Sequence, residues 1–243
     1  IIISKKLPSD AEYVLAKHAT VEMVERYQST IGFSKVEEII PILLKREMYN
    51  LVASILEKCK PDLPLRIQEQ VMSSDTEVVK AYISYHDFTV SQQLKLIERN
   101  NASEIIMLIK HNFVQPEAQM KILSRGNKKE IMTLLEHHQT SKNFQHGVMS
   151  RNDSDEIITM GATNTLFVSV QEELIKRGHD NEIMTYLDRR ELENSSFDLL
   201  LSLKNDLVGY YIERNILNNY QMELFIEKAS DGDIAKYWEI YYE

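Results

Sequence analysis

The chain has 243 residues, with 28 lysines and arginines against 37 aspartates and glutamates, so its formal charge is −9. That balance opposes general attraction to nucleic acid or to an anionic membrane. A single cysteine, Cys59, excludes an internal disulfide and fits a reducing compartment, so a cytoplasmic location is expected.

The sequence starts Ile1-Ile2-Ile3-Ser4 without a methionine, which leaves a preceding targeting segment open. A first helix pair is expected from Leu7, one helix ending near Lys17 and His18 and the next opening at Glu22-Met23-Val24. A second pair starts at Phe33 and holds Ile39, Ile40, Leu43 and Leu44, then Leu51, Val52, Ile55 and Leu56. Apolar residues three and four apart mark one face of a helix. Pro41 inside that pattern is expected to kink or divide its helix. The apolar run Ile39 to Leu44 falls far short of the roughly 20 residues a membrane span needs, so no membrane partner is expected. Lys60-Pro61-Asp62-Leu63-Pro64 reads as a linker. The third pair runs from Leu63 to His86, with Ser74 and Glu77 at the spacing of a capping box.

From Phe88 onward a 26-residue step becomes explicit. Arg99-Asn100-Asn101 precedes Glu104-Ile105-Ile106, and Arg125-Gly126-Asn127 precedes Glu130-Ile131-Met132. Arg151-Asn152-Asp153 precedes Glu156-Ile157-Ile158, and Arg177-Gly178-His179 precedes Glu182-Ile183-Met184. The unit resolves into helix A, carrying doublets such as Leu96-Ile97 and Ile122-Leu123, and helix B, carrying Ile105, Ile106, Leu108 and Ile109. The arginine suits the negative end of helix A. Asn or Gly then enters the left-handed region and stops the helix. Asn101, Asn127 and Asp153 follow as N-caps, with the glutamate three residues on as the other half of a capping box. His179 should cap less well. Phe88, Phe113, Leu192 and Leu217 read as staples that pin each chain segment onto its layer. Gly147, Gly161 and the polar run to Thr165 predict a frayed or bent layer within 139–165. Lys204-Asn205-Asp206 replaces the capped turn, Ser230 and Asp233 restore capping spacing, and Tyr237, Trp238, Ile240, Tyr241 and Tyr242 are expected to cover the last layer.

Residues in equivalent positions form ladders. Gln93, Gln119, Gln145 and Gln171 border the buried face and are read as internal hydrogen-bonding groups rather than a peptide-reading stripe. Arg99, Arg125, Arg151 and Arg177 are read chiefly as surface ion pairs with the glutamates five residues on, worth about 0–1 kcal/mol each. Thr133, Thr159 and Thr185 are expected on the outward side of helix B. These threonines and the four arginines are the candidate partner-binding residues. His86, His111 and His137 recur near helix ends, but packed helices about 8–10 Å apart place them poorly for one zinc ion with bonds of about 2.1 Å. No metal, cofactor or catalytic residue is expected. Gly-rich phosphate loops, HExxH and nucleophile elbows are all missing from the sequence.

The alternation of short paired helices resembles the α-solenoid superfamily of armadillo- and HEAT-like superhelices, with units shorter than theirs and without their signature residues. The short Leu-rich unit is also similar to the leucine-rich repeat variant group. Segments such as Arg125-Gly126-Asn127 ahead of Glu130-Ile131-Met132 resemble repeats of uncharacterised bacterial proteins. The resemblance implies an all-α, right-handed α-α superhelix of about nine antiparallel helix pairs, a single elongated domain over 1–243. Each layer then buries the apolar face of the next. The expected function is a monomeric, non-catalytic scaffold that binds a protein or peptide on a concave surface, and the alternative is a nucleic-acid-binding HEAT-like solenoid. An enzyme using His146, Asp153 and Asp155 ranks last.

Overall fold

The computed structural model describes residues 5–242, and every regular element among them is helical. The opening Ile1-Ile2-Ile3-Ser4 and Glu243 lie outside the described residues. The chain forms two compact units, Ile1–Phe113 and Val114–Glu243. The first holds α1 (Ser9–His18), α2 (Val21–Thr30), α3 (Val36–Lys45), α4 (Tyr49–Cys59), α5 (Leu65–Met72), α6 (Thr76–Ile83), α7 (Val90–Glu98) and α8 (Ala102–His111). The second holds α9 (Pro116–Arg125), α10 (Lys128–His137), α11 (Lys142–Arg151), α12 (Ser154–Thr163), α13 (Val168–Arg177) and α14 (Asp180–Leu187). It continues with α15 (Asn194–Leu203), a 3-10 turn (Asn205–Leu207), α16 (Val208–Ile212), α17 (Asn219–Lys228) and α18 (Asp231–Tyr242).

Odd-numbered helices are the A helices and even-numbered ones the B helices. In the first unit α1, α3 and α5 stack in turn, as do α4, α6 and α8. In the second, α9, α11, α13, α15 and α17 form one stack and α10, α12 and α14 another, with α16 on α18. This is a repeated helical array, each layer shielding the apolar face of the next. Ile105, Ile131, Ile157 and Ile183 are all fully buried, at 0–1% exposure, and each such side chain contributes about 1.5–3 kcal/mol.

The turns follow their sequence. Asn100, Gly126, Asn152 and Gly178 hold φ of 62°, 71°, 60° and 78°, the left-handed region that Gly and Asn enter most cheaply. Asn101, Asn127 and Asp153 accept the two backbone N–H groups that open α8, α10 and α12, whereas His179 makes no such bond. The glutamate half of the box differs from expectation. Its carboxylate turns back to the arginine instead of the cap's own N–H. Complete capping boxes occur at Thr89 with Gln92 and at Asn218 with Gln221.

Several sequence expectations are corrected. Pro41 neither divides α3 nor ends it; the helix runs unbroken through it. Asp75, not Ser74, caps α6, while the Ser74 hydroxyl donates to Val71 O. Phe88, Leu192 and Leu217 are buried staples, but Phe113 is exposed and the adjacent Val114 is buried instead, a shift of one residue. At the terminus Tyr237 is buried and its hydroxyl accepts the Leu217 N–H, whereas Trp238, Ile240 and Tyr242 stay exposed.

The layer over 139–165 is not frayed: α11 and α12 are regular ten-residue helices. Of its two glycines, Gly147 makes room for a neighbour and Gly161 does not need to. A Cβ on Gly147 would run into the Leu123 side chain, while one on Gly161 would meet Tyr186 Cβ at an ordinary 3.5 Å. Gly161→Ala is therefore expected to raise stability by roughly 0.5–1 kcal/mol. Gly147→Ala should be neutral or destabilising, because Leu123 must leave its packed rotamer. Urea unfolding of the two variants checks the contrast.

Candidate functional site

The glutamine ladder is internal. Gln93, Gln119, Gln145 and Gln171 are all buried. Each side-chain amide donates to the carbonyl five residues back: Phe88 O at 3.0 Å, Val114 O at 3.0 Å, Thr140 O at 3.3 Å and Leu166 O at 3.1 Å. The carbonyl ends of Gln119, Gln145 and Gln171 accept backbone N–H groups of the next layer, from Ser141, Phe167 and Glu193. The amides thus satisfy loop backbone that no helix serves.

The arginine ladder is spent on internal partners, although its own side chains stay partly exposed. Arg99 donates Nε to Glu104 at 2.7 Å, Nη1 to Met72 O and Nη2 to Ser74 O, both at 2.9 Å. Arg125, Arg151 and Arg177 hold Glu130, Glu156 and Glu182 at 2.7–2.9 Å. All four carboxylates have 0% exposure and their arginines 15–29%, so these pairs are buried on the acid side rather than the surface pairs the spacing suggested. Guanidinium donors spent on carboxylates and backbone carbonyls are poorly placed to grip phosphate.

Burial pushes the Glu182 carboxyl up, but hydrogen bonds from Arg177 and Ser154 and the nearby His179 outweigh it and hold it below its ordinary 4.5. A depressed carboxyl adds stability that is full above that ordinary value and is lost as pH falls through the folded one. Unfolding in urea at pH 7 and at pH 3.5 should show this acid loss, and Glu182→Gln should flatten it.

The threonines lie on B helices. Thr133 is buried, correcting its outward placement, and its hydroxyl donates to Lys129 O at 2.7 Å. That back-bond lets a threonine leave water. Thr185 donates likewise to Asn181 O, and Thr159 O accepts from Thr163. Asp153 and Asp155 both pair with Lys128, away from His146, whose ring bridges Glu173 Oε2 and Ser169 Oγ, each at 2.9 Å. His146 and Glu173 are 35% and 41% exposed, so this chain of bonds ties α11 to α13 in contact with water. Among the described residues no group of three His, Cys, Asp or Glu is placed to hold a metal ion, and no helix is long and apolar enough to cross a membrane.

Open space is found on the A helices of the first unit. One cleft of about 880 Å³ lies between α5 and α7, lined by Leu65, Gln68, Met72, His86, Gln92 and Arg99 among others. A second of about 920 Å³ spreads over α1, α3 and α5. The first opens where the amide ladder fails. Gln68 still donates to Leu63 O at 2.7 Å, but its carbonyl end accepts from the Gln92 side chain at 2.9 Å rather than from the next layer's backbone. Here α5 is only eight residues long and follows the linker with Pro61 and Pro64. Of the candidate partner-binding threonines and arginines named from the sequence, Arg99 alone lines a cleft of this unit. The signal for the rest was present in Gln68, five residues after Leu63 like its counterparts.

Sequence reading also missed the groups that serve the first amide of five layers. Asn112 accepts from Phe88 N and Asn164 from Thr140 N. Elsewhere tyrosine does the same, Tyr27 for Leu7, Tyr211 for Leu192 and Tyr237 for Leu217. No family model, curated protein or solved structure matches the chain, so its function is argued from its own residues.

Proposed function

We propose that the protein is a non-catalytic, protein- or peptide-binding scaffold of the cytoplasm, acting as a monomer and presenting the A-helix face of its first unit. The observation that carries this is the pair of clefts on that face, about 880 and 920 Å³, within the volume range of ligand sites at about 300–1,000 Å³. Rigid helices position such clefts, and amide and hydroxyl side chains at their walls suit a peptide backbone. The ladder arginines, engaged internally, weigh against the nucleic-acid alternative.

Random-peptide display on the full chain tests the reading. Enriched peptides should bind, and Leu65→Asp or Tyr49→Ala, each altering one cleft, should weaken a subset of them at least tenfold. A selection that enriches nothing beyond an unrelated helical-repeat control would overturn it.

A further inference from the structure

The second cleft has a chemistry unlike the rest of this acidic chain. Its apolar lining is Pro41, Ile42 and Leu44 with the rings of Tyr13 and Tyr49, and its cations are Lys17, Lys45 and Arg46. No aspartate or glutamate lines it, although such residues outnumber cations 37 to 28 in the chain. Arg46 is fixed in place, donating through both Nη atoms to Ala16 O and Ala19 O at the end of α1. Lys17 lies over the Tyr13 ring, 5.8 Å from its centroid, and both lysines are exposed with their charge on the rim. Gln70, exposed and also lining the cleft, offers one donor group and one acceptor.

Resting on the scaffold reading, we infer that this cleft binds an extended acidic peptide with one apolar side chain. The apolar side chain sits against the apolar lining of Pro41, Ile42, Leu44 and the two tyrosine rings. Carboxylates on either side meet Lys17 and Lys45, and Gln70 takes the backbone. Three stacked A helices at about 8–10 Å spacing span roughly 16–20 Å, which about five or six residues of extended chain cover at about 3.3 Å each. Charge complementarity selects the ligand: the basic cleft attracts what the remaining surface repels.

The test is fluorescence anisotropy on the full chain with labelled hexapeptides. One set places Leu or Phe among Asp and Glu, a second replaces the acids by Asn and Gln, and a third by Lys. The acidic set should bind, at least tenfold more tightly than the others, and weaken as salt rises from low to high. Lys17→Glu with Lys45→Glu, both exposed and checked for helicity by circular dichroism, should abolish that preference. Equal binding by neutral or basic peptides, or unchanged binding to the double variant, would overturn the acidic assignment and leave the scaffold standing. Tighter binding of a single-stranded oligonucleotide would overturn it in favour of nucleic acid. Failure of every peptide set, together with an empty display selection, would overturn both readings.

Discussion

Replacing Arg151 with methionine is expected to destabilise the protein by about 3–5 kcal/mol, the cost of leaving a buried charge unpaired. Glu156 has no exposure, and Arg151 reaches it with two bonds, Nε to Oε2 at 2.8 Å and Nη2 to Oε1 at 3.0 Å. The guanidinium is 29% exposed, so the arginine keeps some water while the carboxylate keeps none. The asymmetry predicts the order of variants. Arg151→Met should cost more than Glu156→Leu, and the double variant should recover much of the loss, since two apolar groups replace the pair. Urea unfolding of the four proteins measures the cycle. A cost below about 1 kcal/mol for Arg151→Met, the value of a surface pair, would mean that water reaches Glu156.

Gln145→Met is the second large effect, expected at about 2–4 kcal/mol. The side chain is fully buried. Its amide donates to Thr140 O at 3.3 Å and Thr165 O at 3.1 Å, and its carbonyl accepts from Phe167 N at 3.1 Å. Methionine fills the volume but leaves three backbone groups without partners. Gln139 is the control. It makes bonds of the same kind, to Thr163 O at 3.1 Å and from Thr165 N at 3.0 Å, but it is exposed, so water replaces them. Gln139→Met should cost less than about 1 kcal/mol. Similar losses for both would show that bond number, not burial, sets the cost. Because layers stabilise one another only through their neighbours, Gln145→Met should also broaden the unfolding transition of the second unit.

The turn motif was legible because its physics is local. An arginine, a residue tolerant of positive φ, a capping side chain and a glutamate act on one another within six residues, and the 26-residue step then repeats the result. The glutamine ladder was legible for a related reason, since equal spacing puts these residues at equal depth. The burial of Glu104, Glu130, Glu156 and Glu182 was not legible, because spacing cannot tell a surface pair from one covered by an adjacent layer. Gly147 and Gly161 misled for the same cause. Within a helix glycine is a weakness, and only Leu123 approaching from another helix shows why Gly147 is there, while Gly161 has room for a methyl group beside Tyr186.

The sequence by itself determined the helical class, the positions of the turns and the face of each helix that leaves water. Those properties depend on neighbours three to five residues away along the chain. The tertiary structure decided which groups serve the first amide of five layers, supplied by side chains 19 to 24 residues downstream. It also decided where the A helices part to leave clefts. Both depend on contacts between layers, which neighbours three to five residues apart along the chain do not encode.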